Sequence, residues 1–269
     1  MRTVTNDGVE IAYEERGQSA DDAATVVFVE GLGYGRWMWR WQAEALADDY
    51  HLLLPDNRGT GDSDVPEGPY TVEQMASDVE AVLADAGVET VHVVGASMGG
   101  MIAQQYALSY DRAASLSLLC TSPGGEAAVP TPDATLARMF DVPDDADERE
   151  AIWYKMAPAL SDGFAEAEPD LIERIVDWRL ESDAPPAARE AQAAAVEAFD
   201  VSDELDRLSL PTLLLHGTGD RVLPVENSEL LAELLPEAEV TFYDDAPHLF
   251  FVEEADRVNE RLREFLDDV

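Results

Sequence analysis

The sequence contains one cysteine, one lysine and no long apolar run. Cys120 alone cannot form an internal disulfide, and a single thiol cannot build a cysteine-based zinc site. No segment approaches the roughly 18 consecutive apolar residues of a membrane-spanning helix. The opening stretch, MRTVTNDGVEIAYEERG, has no basic segment leading into an apolar one. A soluble, cytoplasmic protein is the expectation. Basic residues are scarce throughout: 17 Lys and Arg stand against 57 Asp and Glu, for a net charge of −40. Nucleic acid and anionic membranes are poor partners for such a chain.

The acidic excess is not a tail. It runs through the pairs at 21–22, 48–49 and 267–268 and through DVPDDADERE at 141–150, which reads as a solvated face and not as a metal cluster. Charge this far from zero repels itself in the compact state. Salt at 1 M shortens that repulsion to about 3 Å. With Lys155 the only lysine, the composition resembles that of haloarchaeal proteins, which implies a high-salt cytoplasm.

What is present is a core. Apolar residues make up 46% of 269 positions, enough for a well-filled α/β fold. MRTVTND and VEIAYEERG around Asp7-Gly8 predict a hairpin. TVVFVE (25–30), HLLLPD (51–56), VHVVGA (91–96), SLSLLC (115–120), PTLLLHG (211–217) and EVTFYDD (239–245) are short runs that alternate with helical stretches. That rhythm predicts a mostly parallel sheet with helices on both faces. Thr71, three residues before Gln74, predicts an N-cap. Residues 125–205 carry no strand pattern and are punctuated by prolines. We read them as a helical cap inserted into a core made of 1–124 and 206–269.

Chemistry concentrates at GASMGG. Ligands of an open parallel sheet bind beyond the carboxyl ends of its strands, and Ser97 stands there between Gly95 and Gly99. A Gly-x-Ser-x-Gly turn from strand to helix lifts the hydroxyl above the sheet, and the Met98 N–H opens the helix, where negative charge is favoured. A serine nucleophile needs a base. His51 and His92 begin strands at the opposite edge, and His216 precedes a Gly-x-Gly turn as a local hydrogen-bonding residue. His248, in DDAPHLFF, lies on the same edge as Ser97 and is the candidate base. Asp220, just past PTLLLHG, is the candidate carboxylate that orients it; Asp244 and Asp245 sit too near His248 in sequence.

GASMGG, HGTGDRVLP, APHLFFVEEADRVNERLREFL and DNRGTGDSD together resemble the α/β-hydrolase superfamily, and DNRGTGDSD with SMGGMIAQQYA is similar to its esterase and enol-lactonase group. The resemblance implies an oxyanion hole made by the Leu32 and Met98 amides. It also implies a histidine where this chain has Glu30. That carboxylate is expected to turn under the glycine loop, accepting backbone N–H bonds or pairing with Arg58. Gly31, Trp37, Trp153 and Leu249 are the expected substrate-binding residues.

The expected function is a serine hydrolase that needs no cofactor or metal and cleaves a small-molecule ester or lactone. Perhydrolase (haloperoxidase-like) and C–C bond hydrolase chemistry use a similar triad, and a slow ligand receptor keeps it too. The sequence leaves a homo-oligomer open.

Overall fold

Apolar runs too short for helices become the strands of one eight-stranded sheet. The computed structural model describes residues 1–269 except 22, 141 and 144; part of the DVPDDADERE reading thus lies outside the described residues. Its strands are β1 (Arg2–Asn6), β2 (Val9–Gly17), β3 (Thr25–Val29), β4 (His51–Pro55), β5 (Val91–Ala96), β6 (Ala113–Leu119), β7 (Thr212–Gly217) and β8 (Ala238–Tyr243). The order across the sheet is β1-β2-β4-β3-β5-β6-β7-β8. β1, β2 and β4 pair antiparallel, and every later neighbour pairs parallel. Asp7 and Gly8 both take positive φ, 48° and 82°, as a two-residue hairpin turn requires.

The helices before β7 are α1 (Arg40–Leu46), α2 (Val72–Asp85), α3 (Met98–Ser109), α4 (Asp133–Phe140), α5 (Glu148–Met156), α6 (Phe164–Ala167), α7 (Pro169–Ser182) and α8 (Pro186–Glu197). After it come α9 (Glu226–Leu234), α10 (Phe250–Glu253) and α11 (Ala255–Asp268). The Thr71 hydroxyl accepts from Gln74 N–H at 3.2 Å, and the Gln74 side chain accepts from Thr71 N–H at 3.1 Å. Both halves of the capping box are closed, and α2 starts where its sequence predicts.

Residues of the central strands β3, β4, β5 and β7 are buried on both faces. Val27, Val29, Leu53 and Val93 pack with Met75 and Val79 of α2 and Ile102 and Tyr106 of α3. Their neighbours Val26, Phe28, Leu52 and Val94 pack on the other face with Leu46 of α1 and Val258, Leu262 and Phe265 of α11. Each fully buried side chain of this size contributes about 1.5–3 kcal/mol. This two-sided burial explains why the runs do not alternate with polar residues.

The helical stretch between β6 and β7 is tied to the loops at the carboxyl ends of the strands. Gln192 on α8 accepts from Gly33 N–H at 2.8 Å and donates to the Arg58 carbonyl at 2.9 Å. Ala184 N–H donates to the Gly33 carbonyl at 3.0 Å, and Leu249 N–H to the Ala159 carbonyl at 2.9 Å. α4, α5, α7 and α8 each supply a residue to a cavity at this edge, described next.

Candidate active site

Ser97 follows β5 directly and precedes α3 with φ 56° and ψ −121°, a conformation that L-residues rarely adopt and that clusters at functional sites. The flanking glycines make the turn possible. A Cβ on Gly99 would sit 2.1 Å from the Val29 carbonyl oxygen, and one on Gly95 would sit 2.2 Å from the Gly99 carbonyl oxygen. Backbone approaches backbone too closely there for any side chain. Gly31 lies against the same turn; a Cβ on it would come 3.6 Å from Ser97 Cβ.

The loop after β7 brings Asp220 to the loop after β8. His248 Nδ1 lies 2.6 Å from Asp220 Oδ2. Asp220 Oδ1 accepts from Val222 N–H at 2.7 Å and from Leu223 N–H at 2.9 Å. His216 Nε2 lies 3.1 Å from Asp220 Oδ2 and 2.9 Å from the Leu223 carbonyl, while its Nδ1 is 2.7 Å from Ser228 Oγ. Two acceptors face His216 Nε2, so this network assigns the proton to that nitrogen and an acceptor role to Nδ1. Burial would raise the Asp220 carboxyl, but the His248 imidazole and the hydrogen bonds from both histidines hold it well below the usual carboxylate range. Burial pulls His248 down, and the Asp220 carboxylate outweighs it, so the imidazole stands above its ordinary value. With Nδ1 donating to Asp220, Nε2 is the nitrogen left to act as a base, and the buried Cys120 thiol also hydrogen-bonds the ring.

One cavity, of about 40 Å³, is lined by both Ser97 and His248 together with Gly31, Leu32, Tyr34, Met38, Val222, Leu249 and Phe251. Among the described residues no hydrogen bond joins Ser97 Oγ to the imidazole, a looseness common in sites without substrate. Neither Leu32 N–H nor Met98 N–H donates to a protein acceptor among the described contacts. Leu32 lines the cavity, and Met98 follows Ser97 directly in the chain.

Two expected lining residues are absent from this cavity. Trp37 is buried, and its ring packs with Tyr34 at 5.4 Å and Trp178 at 6.1 Å. Trp153 lines a separate surface depression with Arg149 and Ile172, because it lies on the outer side of α5. Gly31 and Leu249 do line the cavity. Lys155, Arg179 and Arg189 also line it and escape sequence reasoning; the scarcity of lysine singles out only the first.

His51 and His92 lie at strand starts, bonded to Thr25 Oγ1 at 3.0 Å and Ser115 Oγ at 2.8 Å. Asp244 and Asp245 are exposed. Glu30 is fully buried outside the cavity. Its Oε2 accepts a backbone N–H, as expected, but from Asn57 in the loop after β4 at 2.9 Å and not from the glycine loop. The expected pairing with Arg58 fails, because Arg58 makes a bidentate pair with Asp78 at 2.7 and 2.8 Å. Burial and the neighbouring Asp56 carboxylate raise Glu30 well above its ordinary value.

Cys120, at the end of β6 with φ 40°, is the remaining group near His248. Its sulfur, a His248 nitrogen and an Asp220 oxygen lie within 4.8 Å of one another. This trio fits a resident metal poorly. Burial keeps the thiol protonated, and both Asp220 oxygens are already engaged. Among the described residues no helix is long and apolar enough to cross a membrane.

Known proteins resemble this chain in sequence and fold. The family described as alpha/beta hydrolase fold matches residues 24–255. A putative carbamate hydrolase of Azorhizobium caulinodans is 32% identical, over 91% of this chain and 91% of its own length. The enol-lactonase of Burkholderia xenovorans superposes with a TM-score of 0.86 at 26% identity, covering 99% of this chain and 100% of that one. A thermophilic esterase of Thermogutta terrifontis gives a TM-score of 0.82 at 32% identity, over 99% and 98%. With its sheet order, its Ser97 turn and a family match across most of its length, this chain belongs to the alpha/beta-hydrolase fold family.

Proposed function

We propose that the protein hydrolyses carboxylic esters or lactones through an acyl-enzyme on Ser97. The observation that carries this reading is the His248–Asp220 hydrogen bond at 2.6 Å beside the Ser97 turn. Ser97 Oγ attacks the carbonyl carbon and passes its proton to His248 Nε2. Asp220 fixes the tautomer and stabilises the imidazolium. The Leu32 and Met98 amides receive the developing oxyanion. His248 then protonates the departing alkoxide, which stays tethered in a lactone, and finally activates the water that frees the acid.

Residues 125–205 act as a cap on the core formed by 1–124 and 206–269. The cavity of about 40 Å³ is far below the ~300–1,000 Å³ of ordinary ligand pockets, so the cap side chains move for substrate to enter. A charge of −40 supports work in a salt-rich cytoplasm. Enol-lactonase and esterase neighbours support ester and lactone carbonyls as the reacting group.

The test is acid release from a panel of water-soluble esters and lactones in 2–4 M KCl, with Ser97→Ala as control. Turnover near or above about 1 s⁻¹ on one class, abolished in the variant, supports the reading. A single slow turnover with retained product would instead mark a receptor.

A further inference from the structure

In a chain with 57 acidic residues, cations find carboxylates almost everywhere. Twelve of its arginines do, among the described residues. Two of the cations that do not, Lys155 and Arg189, meet at the cavity beside Ser97. Lys155 from α5, Arg179 from α7 and Arg189 from α8 all line it. Neither Lys155 nor Arg189 has an acidic partner within 4.0 Å among the described residues.

Among the described residues only Asp183 pairs with these three cations, through Arg179 at 2.7 Å. Arg179 is 2% exposed, yet among the described residues its Nη1 has no hydrogen-bond partner, and neither does the buried Nε of Arg189. Their rings of support are apolar: Arg179 stacks on Tyr34 at 4.4 Å and Arg189 on Phe140 at 5.4 Å. The cations also crowd one another. Burial, then Arg179, lowers Arg189; burial, then Arg189 and Arg179, lowers Lys155.

Such an arrangement is costly without an anion. Buried donors left unpaired lose their hydration, and like charges in a water-poor site repel strongly. The loss is recovered when a ligand supplies the missing acceptor.

We propose that the substrate carries a carboxylate, held by Arg179, Arg189 and Lys155, with its ester or lactone carbonyl turned to Ser97. The arginine forks match a planar carboxylate, and the side chains that bind it share one cavity with Ser97 and His248. The ligand class is thus a hemiester of a dicarboxylic acid or a lactone bearing a carboxylate. This deepens the hydrolase reading and rests on it.

The experiment compares monomethyl with dimethyl esters of C4 to C8 dicarboxylic acids at fixed 2 M KCl, in the natural protein, Arg189→Gln and Lys155→Gln. The expected result is a kcat/KM preference for one hemiester over its diester. In Arg189→Gln that preference falls about 10-fold or more, chiefly through KM. A second readout does not depend on turnover. The free dicarboxylate of matching length raises the Tm of Ser97→Ala, and the rise is lost in Ser97→Ala/Arg189→Gln. If no ester is cleaved but this rise is seen, the hydrolase reading fails and the anion site stands. Equal use of hemiester and diester, with no rise in Tm beyond that given by chloride alone, overturns the anion site.

Discussion

His248 Nδ1 and Asp220 Oδ2 lie 2.6 Å apart, and the carboxylate that makes this bond accepts three further ones, from His216, Val222 and Leu223. An aspartate held at four points is a rigid support for an imidazole. It fixes which nitrogen faces the Ser97 cavity.

Asp220→Asn and His248→Ala should each lower kcat by about 10⁴. Combining His248→Ala with Ser97→Ala should add little, because the residues act as one unit. Multiplicative losses, measured as kcat ratios on one ester, would mean that they do not. His216→Gln should be milder, since it removes one of four supports and not the base.

Activity should depend on pH through His248. Burial lowers the imidazole and Asp220 raises it further, leaving it above the ordinary value of 6.5. The protonated ring cannot accept the serine proton. The acid limb of kcat/KM should therefore have its midpoint above about 6.5 and move down in Asp220→Asn. A midpoint that stays put in that variant would assign the limb to another group.

Glu30 offers a stability test. Its folded value is raised by burial and by Asp56, against the lowering effects of the Asn57 N–H and Arg36. The folded chain keeps a proton that the unfolded chain has lost. Stability from this group is complete below the unfolded value of 4.5 and falls as pH rises toward the folded value. Glu30→Gln lacks this loss, so its Tm relative to the natural protein should climb with pH. A Tm difference that falls with pH would show an ionised Glu30.

Salt should stabilise the fold. Between about 0.1 and 2 M KCl, screening relieves repulsion among surface carboxylates. A steep rise in Tm is expected. A flat Tm would remove the high-salt reading while leaving the chemistry untouched.

The strand and helix pattern is legible in the sequence because buried parallel strands write continuous apolar runs. Asp220 and His248 are legible because each stands in the loop just past a strand, β7 and β8. The cavity lining is less so. Trp37 lies near the glycine loop in sequence, but its ring turns to Trp178, a direction set by packing. Arg179 and Arg189 sit in helices rich in Asp, Glu and Ala, where nothing in the sequence marks them out. Only the docking of α7 and α8 reveals that they face Ser97's cavity. Glu30 is a near miss of the same kind: Arg58, one of its two expected partners, is captured by Asp78 on α2.

The central claim is that Ser97 is the nucleophile. Treatment with a fluorophosphonate, followed by mass spectrometry of the intact chain and its peptides, measures this directly. One adduct per chain is expected, on the peptide holding Ser97, with activity lost in proportion, and none in Ser97→Ala. An adduct on another residue, or full activity in the labelled protein, would contradict the account.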